Sequence, residues 1–216
     1  MFFSLVNESN KKSTSLIESI FKLRKNVFAD KLKWDVPVHG DMEFDEYDEL
    51  NPIYVVWTDK TKTILYGSVR LLPTSGPTLL YDVFGATHGH NPELKDPRIW
   101  EGTRLCLDVE KIAQHFPQLT PDKAFSKMLL ALCECALDAG IQRLVSNFEP
   151  CLRRVYLRAG VELNFHGSAD LYGKRPVCCA SFEVSERILD KMRLKTEHIS
   201  AIFQPALSQL PTLQAL

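Results

Sequence analysis

The sequence predicts an α/β fold, an α+β mixed sheet flanked by helices in a three-layer sandwich. Short runs rich in β-branched and aromatic residues alternate with segments whose apolar residues recur at helical spacing. The chain has 216 residues, 45% of them hydrophobic and 25% charged, enough for one core, and it shows no repeat or linker.

In order, TSLIESIFKLRKNVFA (14–29) carries Leu16, Ile17, Ile20, Phe21, Leu23, Val27 and Phe28 at helical spacing, an amphipathic helix. A loop is expected from Asp30 to Pro52. IYVVW (53–57) and ILYGSVRLL (64–72), split by a polar turn, read as an antiparallel hairpin ended by Pro73, Gly76 and Pro77. Residues 79–98 have no period, and IWEGTRLCLDV (99–109) resumes as a strand. PDKAFSKMLLALCECALDAG starts a helix at Pro121 and stops it at Gly140. Then follow a strand (IQRLVSNF), a helix (PCLRRVYLRAG), two strands (VELNFHG, PVCCASFEV) and a last helix (SERILDKMRL). The tail from Gln204 is assigned no role.

Lys+Arg 26 against Asp+Glu 27 gives a net charge of −1, which argues against nucleic acid and anionic membrane as partners. MFFSLVNESNKK lacks a basic n-region and a long apolar core, and no run approaches the roughly 20 residues of a membrane span, so a cytoplasmic protein without membrane insertion is expected. Six cysteines without a CxxC pair read as buried thiols.

Candidate chemistry gathers in the first half. Arg24 and Phe28 share a helix face and Trp34 follows, a set suited either to gripping a carboxylate beside a flat cationic group or to an ordinary amphipathic surface. Seven acidic residues (Asp35, Asp41, Glu43, Asp45, Glu46, Asp48, Glu49) occur with no lysine or arginine among them. Alone they read as a solvated loop, and they lack the order of an EF-hand. Arg70 sits within a strand and needs a buried carboxylate. Glu101 and Arg104 fall on opposite faces of a regular strand, so a shared site requires the strand to bulge or end between them, cheapest at Gly102. His88 and His90 read as a surface loop, no metal site is expected, and neither a GxG pyrophosphate loop nor a GxSxG elbow occurs. Arg143, Arg153, Arg154 and Arg158 face only Glu149 and Glu162 in sequence, which leaves a basic helix surface for a phosphate or an acidic partner, or simply a solvated one.

The β, α, β, α, β order ending in YLRAG resembles the fold of the GCN5-related N-acetyltransferases. Taken together, R-x3-F (Arg24, Phe28), Trp34, E-x-D-x-x-D (Glu43, Asp45, Asp48), Arg70 in VRLL, Phe84 and E-x-x-R (Glu101, Arg104) resemble the acyl-homoserine lactone synthases of bacterial quorum sensing. The match is sharpest up to about residue 108. The resemblance implies one domain over 1–216, with S-adenosylmethionine bound by 1–110, the acyl group by 111–200 and a tail from 204. It implies transfer of an acyl group from acyl-carrier protein or acyl-CoA to the amine of S-adenosylmethionine, then lactone closure with release of methylthioadenosine, by a monomer without cofactor. Arg24, Phe28, Trp34 and Phe84 would shape the S-adenosylmethionine pocket. Glu43, Asp45, Asp48, Arg70, Glu101 and Arg104 would form the catalytic network, with Glu43 or Glu101 as base. An acyl tunnel would involve Leu105, Met128, Leu132, Ser146, Asn147 and Phe148, and Arg153, Arg154 and Arg158 would dock the carrier. Some relatives place a threonine where this chain reads VSNFEP, so selectivity for a 3-oxo group is open. Another amine acceptor on the same fold is the alternative.

Overall fold

A computed structural model describes residues 1–6, 14–198 and 200–204. Its centre is a seven-stranded mixed sheet in the order β1-β4-β5-β6-β7-β9-β8. The strands are β1 (Phe2–Val6), β4 (Ile53–Thr58), β5 (Leu65–Pro73), β6 (Ile99–Leu107), β7 (Arg143–Phe148), β8 (Asn164–Ala169) and β9 (Val177–Glu183). The helices are α1 (Thr14–Arg24), α2 (Leu79–Asp82), α3 (Val109–His115), α4 (Pro121–Asp138), α5 (Arg153–Arg158) and α6 (Glu186–Thr196). The mixed sheet with flanking helices is the expected class.

On one face, α4 lies against the sheet. Proline at its first turn and the Thr120 side chain accepting from Lys123 N begin it, and Met128 through Ala136 are all buried. On the other face α1 packs Leu16, Ile17, Ile20 and Leu23 against Val6, Tyr54, Val56 and Leu65. Such burial contributes roughly 1.5–3 kcal/mol per large aliphatic side chain.

Several expectations need correction. The opening FFSLV is a strand, antiparallel to β4 from Phe2↔Thr58 to Val6↔Tyr54, because its apolar residues gain a partner far away in sequence. Asp108 caps α3, accepting from Lys111 N at 3.0 Å, where the strand was expected to run on to 109. The stretch 30–52 is not plain loop: α1 continues as a π-helical turn (Lys25–Lys31), then comes a hairpin of β2 (Val38–His39) and β3 (Met42–Glu43), then a 3₁₀ turn (Glu46–Leu50). Cys151 is exposed, while the other five cysteines are buried. His88 is buried as well, its Nε2 2.9 Å from the Leu80 carbonyl and its Nδ1 accepting from Asn91 N at 3.1 Å. Beyond Gln204 the tail lies outside the described residues.

One feature of the sheet positions the site. The parallel pair β6–β7 is in register only at Ile99↔Arg143, Trp100↔Leu144 and Glu101↔Val145, while β7 continues along β9 to Phe148↔Cys178. Past Glu101 and Val145 the two strands therefore part.

Candidate active site

The acidic stretch folds inward because arginines wait beneath it. Asp45 caps the 3₁₀ turn reciprocally with Asp48, which turns both carboxylates toward the sheet, and Glu46 and Glu49 stay exposed. Arg24, on the buried face of α1, is 0% exposed. Its Nε donates to Glu43 Oε2 at 2.6 Å, and its two terminal nitrogens fork onto Asp48 at 2.8 and 2.9 Å. Arg70, from β5, donates to both oxygens of Asp45 and lies 2.8 Å from Asp48 Oδ1. Arg104, from β6, donates to Glu43 Oε1 at 3.1 Å and Asp45 Oδ2 at 2.9 Å. The Tyr54 hydroxyl adds a bond to Asp48 at 2.6 Å.

Three guanidiniums and three carboxylates thus alternate in one buried, charge-balanced network. Burial alone would raise the Asp48 carboxyl, but Arg24, Arg70 and Tyr54 outweigh it and hold Asp48 below the usual carboxylate range. The solvated-loop reading of the acidic stretch therefore fails for three of its residues: Glu43, Asp45 and Asp48 are buried and all taken by arginines.

The required bulge is present, at Arg104 and not at Gly102. Ser68 pairs Cys106 and Arg70 pairs Thr103, so Arg104 and Leu105 oppose the single residue Val69. Arg104 has φ of +54°, in the left-handed region. This uncommon conformation for a long side chain turns its guanidinium to the network, where Glu43 and Asp45 hold it.

Glu101 stands beside the network without joining it. It is 1% exposed, and neither carboxylate oxygen has a hydrogen-bond partner. The amides of Leu79 and Leu80 and the charges of Arg70 and Arg104 face it, but burial dominates and pushes its carboxyl up to about 8.

Phe28 and Trp34 stack with ring centroids 5.2 Å apart, on the wide π-helical turn where Trp34 N donates to the Phe28 carbonyl at 2.9 Å. Arg104 lies 5.7 Å from the Phe28 ring centroid, and Trp34, 41% exposed, leaves one end of the pair open to solvent. Phe84 enters from elsewhere, packed with Tyr47, Leu72 and Leu79, and Arg70 lies over Tyr47 at 5.7 Å.

Other predicted residues lie outside the charged cluster. Met128, Leu132 and Phe148 are in the main core, with Leu105 against it. The Ser146 hydroxyl donates to the Gly102 carbonyl at 2.8 Å, across the place where β6 and β7 separate. Arg153, Arg154 and Arg158 are exposed, with Arg158 2.5 Å from Asp122. Glu149 takes Arg175 and Glu162 takes Arg187 and Lys191, so among the described residues Arg153 and Arg154 have no ion pair. Sequence reasoning missed Tyr47, Tyr54 and Thr103, which touch the arginines. Only the alternation of β4 and β5 residues could have suggested that Tyr54 pairs across from Arg70.

This geometry fits what the chain is similar to. It is 37% identical over 145 residues to an acyl-homoserine-lactone synthase of Rhizobium etli, over 66% of this chain and 66% of that one, about two thirds of the relative's length. Its fold matches the structure of a CoA-dependent acyl-homoserine lactone synthase, BjaI, with MTA, at a TM-score of 0.84 and 21% identity over 98% of this chain and 96% of that one. An acetyltransferase-type structure from Lactobacillus plantarum matches with a TM-score of 0.52 and 14% identity over 86% and 100% of the two chains. The family model described as autoinducer synthase matches residues 8–192, nearly the whole chain, and this chain therefore belongs to the autoinducer synthase family.

Proposed function

We propose that this acyltransferase makes an N-acyl-homoserine lactone with Glu101 as the base that takes a proton from the amine of S-adenosylmethionine. The observation that carries this is a buried carboxylate with two unpaired oxygens and a carboxyl raised to about 8, beside a network that neutralises every neighbouring acid. Glu43, with an arginine on each oxygen, is the weaker candidate.

The freed amine attacks the thioester carbonyl, the carbon–sulfur bond breaks, and the proton lost by the nitrogen passes to the sulfur, which leaves as the thiol. The methionine carboxylate then attacks the carbon bound to the sulfonium, and neutral methylthioadenosine departs. Arg104 spends Nε and Nη2 on Glu43 and Asp45, and its third nitrogen orients the substrate carboxylate for that closure. The Phe28–Trp34 pair flanks the sulfonium and adenine. Phe84 closes the opposite side through Tyr47. The acyl chain enters where β6 and β7 part, with Leu105, Met128, Leu132 and Phe148 behind it.

The reading predicts methylthioadenosine release from S-adenosylmethionine only when an acyl thioester is added. Release without acyl donor, or none with any donor, refutes it. For the donor, Arg153 and Arg154, without an ion pair among the described residues, favour acyl-carrier protein. Arg153→Glu with Arg154→Glu should raise KM for a carrier-bound donor about tenfold while moving the CoA-bound donor less. Equal shifts remove the docking role.

A further inference from the structure

His88 is buried, and both of its ring nitrogens are engaged. Nδ1 accepts from Asn91 N at 3.1 Å and so carries no proton, which leaves Nε2 to carry it and donate to the Leu80 carbonyl at 2.9 Å. The ring is a neutral bridge held in one tautomer. Tyr81 doubles the tie, with its ring edge-on to His88 at 5.2 Å and its hydroxyl donating to the Asn91 carbonyl at 2.8 Å. The end nearer His88 is anchored, because the Thr87 hydroxyl lies 2.7 Å from the Phe84 carbonyl and 2.9 Å from the Asn147 side-chain oxygen on β7.

What the bridge holds is the backbone next to Glu101. Leu80 is buried with Ile99 and Val145, and Val145 is paired with Glu101 across β6 and β7. The Thr78 carbonyl takes its bonds from Tyr81 N and Asp82 N, so the two amides before them, of Leu79 and Leu80, stay directed at the Glu101 carboxyl. An N–H dipole near a carboxyl favours the charged form over the acid. Arg70 on β5 and Arg104 on β6 act in the same sense, but both guanidiniums are bonded to the acidic network. The Cys179 thiol on β9, pushed up to about 12 by burial, stays neutral beside them. On the His88 side, the His90 ring lies 6.2 Å away, and His166 of β8, lowered by burial, is uncharged at neutral pH. Of all these influences, the two amides are the ones whose position depends on His88.

Resting on the reading of Glu101 as base, we infer that His88 is a positioning residue for the reaction: through its bond to the Leu80 carbonyl it holds the Leu79 and Leu80 amides against the base. Without that bond the turn backs away, the carboxylate loses both dipoles, and Glu101 keeps its proton to a higher pH. Activity is then lost where the base is protonated and returns where it is ionised. A packing role alone lowers activity at every pH alike.

The test is kcat/KM by methylthioadenosine release from about pH 6.5 to about pH 9.5, with one acyl thioester and a no-enzyme blank at each pH. Dividing variant by wild type cancels the titration of the substrate amine. His88→Phe, which keeps a ring and loses both nitrogens, should move the activity limb up by about one pH unit, the size of one hydrogen bond to a charged group. With the wild-type limb at about 8, that is about a tenfold loss at pH 7 and less than about a twofold loss at pH 9.5. His88→Gln, whose amide nitrogen can stand where Nε2 does, should keep the wild-type limb. His88→Asn, which replaces Nδ1 alone, should behave like His88→Phe and serves if that variant folds poorly. A loss uniform over pH, a loss equal in His88→Gln and His88→Phe, or an unchanged profile in His88→Phe overturns the inference while Glu101 remains the base. A wild-type limb that survives in Glu101→Gln overturns the base reading and this inference with it.

Discussion

Replacing Glu101 by glutamine is expected to lower kcat about 10²- to 10⁴-fold while KM for S-adenosylmethionine changes little, because proton removal is lost and shape is kept. In wild type, kcat/KM should fall as pH drops below about 8, where the buried carboxyl takes up its proton, and the glutamine variant should lose that limb. A variant with full activity and the same pH profile would remove Glu101 from the mechanism. Stability should move the other way. The folded carboxyl lies well above its ordinary value of 4.5, so its contribution is complete below that value and is lost as pH rises through about 8. Glutamine, neutral at every pH, should therefore raise Tm relative to wild type most above pH 8. This is the trade expected where a buried group is kept for chemistry.

The second large effect concerns the fold. Arg24→Ala should cost about 3–5 kcal/mol in urea unfolding, since it strips Asp48 of its fork and Glu43 of its shortest bond while both stay buried. A typical domain has only 5–15 kcal/mol in all, so poor soluble yield is part of the expectation. Arg24→Met combined with Asp48→Asn should lose less than the sum of the two single changes, because the pair is then removed together. A loss below about 1 kcal/mol for Arg24→Ala would mean that water reaches the network and that its charges are held weakly. The Asp48 carboxyl, depressed in the folded state, contributes stability above its ordinary 3.8 that is lost as pH falls below it.

Much of this was legible in the residues. Apolar spacing placed α1 and α4, β-rich runs placed β4, β5, β6 and β9, and Pro121 with Gly140 marked the ends of α4, because these are local signals. An arginine inside VRLL announced a buried acid, and the acidic stretch supplied it. The need for a bulge between Glu101 and Arg104 also followed from strand alternation alone.

Its position did not, because a bulge goes where both partners' bonds are best satisfied, and Arg104 is held at φ of +54° by two carboxylates brought from another part of the chain. β1 was hidden for the same reason: FFSLV is a strand only because β4 offers it a partner far along the chain, from Phe2↔Thr58 to Val6↔Tyr54. Sequence by itself determined the fold class, the family and the set of charged residues. Tertiary structure alone decided which of the acids are neutralised and which is free. Glu43, Asp45 and Asp48 are spent on arginines, and Glu101, alike in type, is left buried and unpaired. Proton affinity depends on burial and on charges a few ångströms away, and those distances are set by packing, not by order along the chain.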